Sequence, residues 1–284
     1  VTTRIIDMRS RPAFLHDFYG ATPGTAAYEG ARWLNRRVGA RDDEHFRRSL
    51  TLEGFIAEIR DAGISRAVVV GRDTPDLLVP NDLIHRITAP HAELVGIASV
   101  DPQRQGAKGA LDEIERAVSG LGLKAVNLEP GFGRPALRAD DPALLPVYDA
   151  CDQLDVPVFL MSGPTTPDLD DNDPAAVGRV ARQFPNLRIV CHHGFYPRVS
   201  EIIGVAFRYQ NVFLLPDMYI FLPGSGLYVE AANGFMRNQL LFGTSYPFRP
   251  MAQTVEDFLA LGIREDALDD VLFNNANTLL KLDL

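Results

Sequence analysis

Two arginines separated by a single residue, Arg9 and Arg11, close the first strongly apolar run of this chain, and two adjacent histidines, His192 and His193, close another far downstream. On an extended strand, residues two apart point the same way, so the arginines would bring two guanidinium groups to one place. A guanidinium is always protonated and carries five donors in a planar fork, which suits it to bidentate contact with a carboxylate or phosphate. Buried charge without a partner is costly, so the pair needs an anionic counterpart. Two kinds stand open: the chain's own Glu129 and Asp217, closing an internal network, or the anionic group of a substrate. An imidazole titrates near neutrality and can pass protons at physiological pH without a metal. Adjacent strand residues face opposite sides, so one of His192 and His193 is expected to face inward, and the sequence leaves open which.

Further polar residues fall at the ends of apolar runs. Asp217 follows Leu214-Leu215-Pro216 and would orient a histidine or act as a base itself. Tyr219 and Tyr246 could donate to a developing oxyanion, with packing as the alternative for each. Asn127 and Glu129 alternate onto one face of their run, while the direction of Lys124 is not readable. The catalytic candidates are therefore His192, His193, Asp217 and Glu129. The substrate-binding candidates are Arg9, Arg11, Arg72, Asn127, Ser162, Tyr219, Ser245 and Tyr246. Ser162 and Ser245 carry no local signature of a nucleophile. Gly131-Phe132-Gly133 and Gly224-Ser225-Gly226 fall short of a nucleotide-binding fingerprint.

The elements that must position these residues are eight short apolar runs, at 4–11, 66–73, 94–101, 122–130, 156–163, 187–194, 212–219 and 240–247, each followed by a helix-like stretch. Eight such repeats point to an α/β fold, a (β/α)8 TIM barrel, in which chemistry sits where strands end. The runs are apolar on both alternating sets, as strands covered on both faces should be. Helical period appears between them. Thr51 is placed to N-cap a helix over 51–62 with Leu52, Phe55, Ile56 and Ile59 on one face, ended by Gly63. Further helices are expected over 107–119, over 141–154 opened by Asp141-Pro142, after Asp173-Pro174, near 198–208, 225–237 and 252–261, and near 265–281 closing the barrel bottom. Residues 12–50 break the rhythm, being too long for an ordinary βα loop. They carry Phe14, Phe18, Tyr19, Tyr28, Trp33 and Phe46 among several arginines. The segment is expected either as a lid over the barrel mouth or as an excursion packed against its side.

A chain of 284 residues suits one such barrel, and no linker divides it, so 1–284 reads as a single domain with this long insertion. A formal charge of −9 argues against nucleic acid, which rewards a basic footprint. Two cysteines make no disulfide framework. With no membrane-length apolar run and no signal-peptide pattern, the expected location is cytoplasmic.

The first run, the His-Gly ending of the sixth and the Gly-Thr-x-Tyr-Pro of the eighth together resemble the amidohydrolase superfamily, in its amidohydrolase-related group of metal-dependent hydrolases and aromatic-acid decarboxylases. The resemblance spans essentially the whole barrel. It implies an Asp-x-His-x-His motif in the first run, a histidine after the fifth, another on the sixth and an aspartate in the eighth, together binding a divalent metal. Here Asp7-Met8-Arg9-Ser10-Arg11 replaces both histidines, Met161 or Ser162 stands at the fifth-run position, and Gly243-Thr244-Ser245-Tyr246-Pro247 has serine for aspartate. Arginine has no lone pair for a metal, and serine substitutes poorly for an anionic ligand. The expectation is thus no metal and no cofactor: a metal-independent hydrolase or lyase for a small carboxylated, cyclic or aromatic molecule. The arginines would hold its anionic group and the sixth-run histidine would act as acid or base. Two alternatives remain: a non-catalytic binding or regulatory barrel for an anionic metabolite, and a rearranged metal site built from Glu129, Asp217 and a histidine. The expected partner is a small anionic substrate; a homodimer fits the group's habit, and neither nucleic acid nor membrane is expected.

Overall fold

The computed structural model describes residues 4–284. In chain order its strands are β1 (Ile6–Ser10), β2 (Arg66–Val70), β3 (Arg72–Thr74), β4 (Leu77–Val79), β5 (Leu94–Ser99), β6 (Val126–Leu128), β7 (Val158–Leu160), β8 (Ile189–His192) and β9 (Val212–Leu215). Seven of them form one sheet in the order β1-β2-β5-β6-β7-β8-β9, every neighbouring pair parallel. β3 and β4 make a small antiparallel hairpin above the end of β2.

The eighth run, expected as a strand, forms no regular ladder, yet it closes the barrel. On one side Leu241 N donates to Leu214 O at 2.9 Å; on the other Met8 N donates to Phe242 O at 3.0 Å and Arg11 N to Tyr246 O at 2.8 Å. Its ladder is interrupted because Ser245 takes a left-handed backbone, φ 56°, and because β1 itself is bulged opposite it. The result is the α/β, (β/α)8 TIM-barrel architecture.

The strands are apolar on both faces because each face meets a different core. Ile6, Met8, Val68, Ile97, Phe159 and Val190 fill the barrel interior, which Phe273, Ala276 and Leu279 plug from below. Ala67, Val69, Ala98, Val126 and Leu214 face outward into the layer shared with the helices.

The helices are α1 (Ala26–Arg37), α2 (His45–Arg48), α3 (Leu52–Asp61), α4 (Asn81–Thr88), α5 (Pro102–Glu115), α6 (Leu145–Gln153), α7 (Pro174–Gln183), α8 (Val199–Arg208), α9 (Gly226–Ala232), α10 (Met251–Leu259), α11 (Glu265–Asp269) and α12 (Asn275–Leu280). Thr51 caps α3 as expected, its hydroxyl accepting from Gly54 N at 3.0 Å, and Gly63 follows with φ 69°. Asp173 caps α7 through Ala175 N at 2.9 Å. Elsewhere the expected helices shift. Asp141 accepts from Ala143 N at 2.9 Å within a turn, and α6 starts only at Leu145. α5 begins early, capped by Asp101 before Pro102, and bends at Gly106, whose φ of 71° interrupts the helix. The stretch 225–237 yields only α9, and 265–281 divides into α11, a π turn and α12.

The 12–50 segment does both things expected of it. Phe18, Tyr19 and Leu34 reach the barrel mouth, where they line a cavity. The remainder packs on the barrel side near α10: Asn35 Nδ2 donates to Phe248 O at 3.1 Å, and Arg41 pairs with Glu256 and Asp257 at 2.7 and 2.8 Å. No helix among the described residues is long and apolar enough to cross a membrane.

Candidate active site

A cavity of about 620 Å³ opens at the carboxyl ends of the strands, with Arg9, Arg11, Arg72 and His193 among its lining. What brings both arginines there is a bulge. In β1 Asp7 pairs with Ala67 but Ser10 pairs with Val69, so three steps on β1 match two on β2. The extra residue switches the alternation. Ile6 and Met8 face the inner core below, while Arg9 and Arg11 face the cavity above. Asp7 fastens the bulge by accepting from Arg9 N at 3.0 Å, Thr244 N at 2.8 Å and Thr244 Oγ1 at 2.6 Å. Burial still raises its carboxyl to about 7 against these donors.

Arg11 donates to Val70 O at 3.1 Å, to Gly71 O at 2.9 Å and to Glu129 Oε1. Its Nη1 is buried with no hydrogen-bond partner among the described residues. Arg72 Nε lies 3.0 Å from Glu129 Oε2, an ion contact in which the N–H direction misses the oxygen, so no hydrogen bond forms. Asn127 Nδ2 steadies the same carboxylate, donating to Oε1 at 3.1 Å. Burial alone would raise Glu129, but Arg11, Arg72 and Arg9 outweigh it and hold the carboxyl at about 2. Glu129 is therefore a fixed anion and cannot serve as a general acid near neutral pH.

Arg9 is spent differently. Its Nη1 donates to His192 Nδ1 at 2.7 Å, and its Nε lies 3.7 Å from Asp217 Oδ2. Burial, helped by Arg11, lowers it to about 10, so it stays charged at neutral pH. Because an arginine can only donate, His192 Nδ1 must accept and Nε2 must carry the proton. Burial and Arg9 push His192 well below its ordinary value, so it is neutral. Its Nε2 is buried without a partner among the described residues.

His193 faces the cavity, with Nδ1 2.8 Å from Asp217 Oδ1. The carboxylate accepts, so Nδ1 carries the hydrogen and the Nε2 lone pair is left free. Burial lowers His193, and Asp217 only partly offsets this. Tyr219 walls the imidazole edge-on at 4.8 Å.

The expectation that only one histidine faces inward is corrected. β8 ends at His192, and His193 adopts φ 57°, leaving the strand alternation altogether. His192 thus meets Arg9 inside the barrel, and His193 meets Asp217 one step above it. Asp217 and Ser245 are also left-handed, at φ 45° and 56°. Non-glycine residues pay for that conformation, and such strain gathers at functional sites.

Several substrate-binding candidates sit elsewhere. Tyr246 points outward, stacking on Phe55 at 5.5 Å and donating to His45 O at 3.1 Å. Ser162 is a bracket for the β8 end, donating to His192 O at 2.6 Å and accepting from Phe195 N at 3.2 Å. Asn127 acts on Glu129 rather than on the cavity. Ser245 Oγ is buried and unpartnered near the bulge, its N donating to Arg9 O at 3.0 Å. Lys124 lies exposed at the opposite end of the barrel. Met161, not Ser162, lines the cavity. Sequence reasoning missed Tyr19, Phe132, Met218 and Phe248 in the lining. Phe132 was visible as a large residue between two glycines, a pattern weighed only as a nucleotide motif.

Among the described residues, no group of three or more His, Cys, Asp or Glu side chains is arranged to hold a metal ion. The donors explain why the family's metal does not fit: Arg9 occupies His192 Nδ1, His193 occupies Asp217, and Glu129 is enclosed by arginines. The rearranged ligand set of Glu129, Asp217 and a histidine does not assemble.

Fold and cavity define a TIM barrel with arginines gathered at the carboxyl ends of its strands. Residues 22–282 match the family described as Amidohydrolase, and the chain belongs to it. No match is found among curated proteins. An uncharacterized TIM-barrel protein of Bordetella bronchiseptica is 34% identical over 98% of each chain, with a TM-score of 0.89. A dihydroxybenzoic acid decarboxylase of Polaromonas sp. JS666, with bound manganese and the inhibitor 2-nitroresorcinol, is 16% identical over 99% of this chain and 97% of its own, TM-score 0.68. A probable 2-pyrone-4,6-dicarboxylic acid hydrolase of Acinetobacter baumannii, with citric acid bound, is 16% identical over 98% of this chain and 99% of its own, TM-score 0.63. With these last two the shared property is the fold.

Proposed function

We propose that the protein is a metal-independent hydrolase or lyase acting on a small carboxylated molecule, cyclic or aromatic in body. The observation that carries this reading is the His193–Asp217 pair, 2.8 Å apart, with its imidazole in the same cavity as an arginine whose Nη1 has no partner. Three guanidinium groups, of Arg9, Arg11 and Arg72, meet two carboxylates, of Glu129 and Asp217, leaving one positive charge for a ligand anion. Arg11 and Arg72 bind that anion, while Arg9, tied to His192 and Asp217, is a positioning residue. The other walls include Phe18, Phe132, Met161, Met218 and Phe248, which suit a flat apolar body.

The resting imidazole of His193 is neutral with its Nε2 lone pair free, which makes it a base. That favours water addition to a carbonyl carbon, as in lactone opening, over decarboxylation, which needs a proton delivered to carbon. In lactone opening, Nε2 takes a proton from water as the hydroxide oxygen bonds to the carbonyl carbon. The ring C–O bond then breaks, and the proton passes from Nε2 to the departing oxygen. Asp217 holds the ring orientation throughout and balances the transient imidazolium. The named relatives, a decarboxylase and a hydrolase of carboxylated rings, are compatible with this substrate class.

The test is turnover of a panel of carboxylated lactones and aromatic acids by the wild type and by His193→Asn. The expected result is turnover in the wild type and a loss of about 10²-fold or more in the variant with ligand affinity kept. Binding without turnover anywhere in the panel would favour a regulatory barrel instead.

A further inference from the structure

Tyr19 has no role in the chemistry above, and it belongs to the insertion rather than to the barrel. It is 1% exposed, lines the cavity, and its hydroxyl hydrogen has no acceptor among the described residues, since the neighbouring Arg72 guanidinium can only donate to the phenol oxygen. A buried hydroxyl left unpaired is costly, so each such group calls for an explanation. Arg11 Nη1 is in the same state in the same cavity. The unbonded carboxylate oxygens nearby do not complement them, because Glu129 Oε2 faces Arg72 at 3.0 Å and Asp217 Oδ2 faces Arg9 at 3.7 Å. The Tyr19 hydroxyl hydrogen and Arg11 Nη1 therefore both stand without an acceptor among the described residues.

The turn that carries Tyr19 is firmly built. Tyr19 N donates to His16 O at 3.0 Å and Gly20 N to Asp17 O at 2.8 Å. Gly20 has φ 92°, and a Cβ there would come within 2.9 Å of the Phe46 ring, so only glycine lets the turn settle on α2. Phe18 meets Tyr19 edge-on at 5.2 Å and also lies 5.2 Å from the Arg72 guanidinium, which Phe132 approaches at 4.9 Å from the barrel side. The insertion thus places a fixed phenol beside the arginines that hold the anion.

We propose that Tyr19 donates its hydroxyl to the anionic group bound by Arg11, so that an occupied cavity fastens the 12–50 insertion onto the barrel mouth. This rests on the reading that the cavity takes an anion. It makes Tyr19 a specificity residue, demanding an acceptor oxygen on the side of the anion facing the insertion.

The experiment uses the full chain, wild type and Tyr19→Phe, with benzoate and citrate as probes. Calorimetry gives affinity, thermal melting gives stability, and hydrogen exchange reports residues 12–50. Because the hydroxyl hydrogen has no acceptor among the described residues, ligand-free Tyr19→Phe should melt close to the wild type. It should bind roughly ten- to a hundredfold more weakly, as expected for a lost hydrogen bond to a charged group. Ligand protection of amides 17–20, present in the wild type, should disappear. Equal affinity and equal protection in the two proteins would overturn this inference and leave the anion reading standing. Absence of binding by the wild type to both probes would overturn the two together. A clearly lower melting temperature of the ligand-free variant would show an internal role for the hydroxyl, and would also overturn it.

Discussion

At the residue scale, the proposed chemistry would depend on the protonation state of His193. Burial holds its imidazole below the usual value of 6.5, so the base form is present at neutral pH. Protonation on the acid side removes that form. Activity measured as kcat/KM should therefore be flat around pH 7 to 8 and fall with a midpoint below 6.5, and a midpoint above that value would contradict a neutral resting imidazole. Glu129 behaves oppositely, being a permanent anion under three arginines. Glu129→Gln removes the counter-charge and leaves Arg11 and Arg72 buried without it. Breaking a buried pair from one side costs about 3–5 kcal/mol, so chemical denaturation should show a loss of that order. His192 accepts from Arg9, so under the proposed function its substitution should disturb Arg9 and affect turnover less than loss of His193.

At the scale of elements, similar helix-opening signals had different fates. Thr51 makes its capping bond, and Thr51→Ala should cost about 1 kcal/mol in a denaturant melt. Asp141, equally well typed for a cap, serves a turn ahead of α6, so Asp141→Ala should not carry the cost of a lost α6 cap. The difference lies in the residues after each signal. Leu52, Phe55, Ile56 and Ile59 give α3 an immediate face to bury, whereas Asp141-Pro142 opens only a turn, and α6 begins after it with Pro146 in its own first turn. The β1 bulge and the breaks in alternation after β8 and β9 belong to this scale too. They aim Arg9, Arg11 and His193 at one cavity and set Asp217 against the His193 imidazole, where a regular pleat would have aimed these side chains differently.

For the whole molecule, acid stability and metal dependence follow from the same cluster. The Glu129 carboxyl is depressed from 4.5 to about 2. Its contribution to stability is complete above 4.5 and disappears as the pH falls through 2, because the unfolded chain then binds the proton more readily. Melting temperature should drop across that window in the wild type, and Glu129→Gln should flatten this part of the curve. Turnover should also survive exhaustive chelation and gain nothing from added manganese or zinc. Loss of activity on chelation, restored by one metal, would sink the metal-independent reading.

The sequence by itself determined the barrel and the level at which its chemistry lies. Runs apolar on both faces, repeated with helical intervals, have few other ways to bury themselves. The residue types also settled that arginine, not histidine, occupies the first-run motif. Only the tertiary structure decided which groups meet. Local alternation fails at strand ends, where a single left-handed residue or one extra residue redirects a side chain. That is why His192 and His193 both turn inward, why Tyr246 turns out, and why Tyr19, over a hundred residues from His193 in sequence, shares its cavity. Pairing of charges is likewise a property of distance: Arg9 and Arg11 looked equivalent along the chain, yet one is bound to a histidine and the other is paired with Glu129 and has a buried Nη1 without a partner among the described residues.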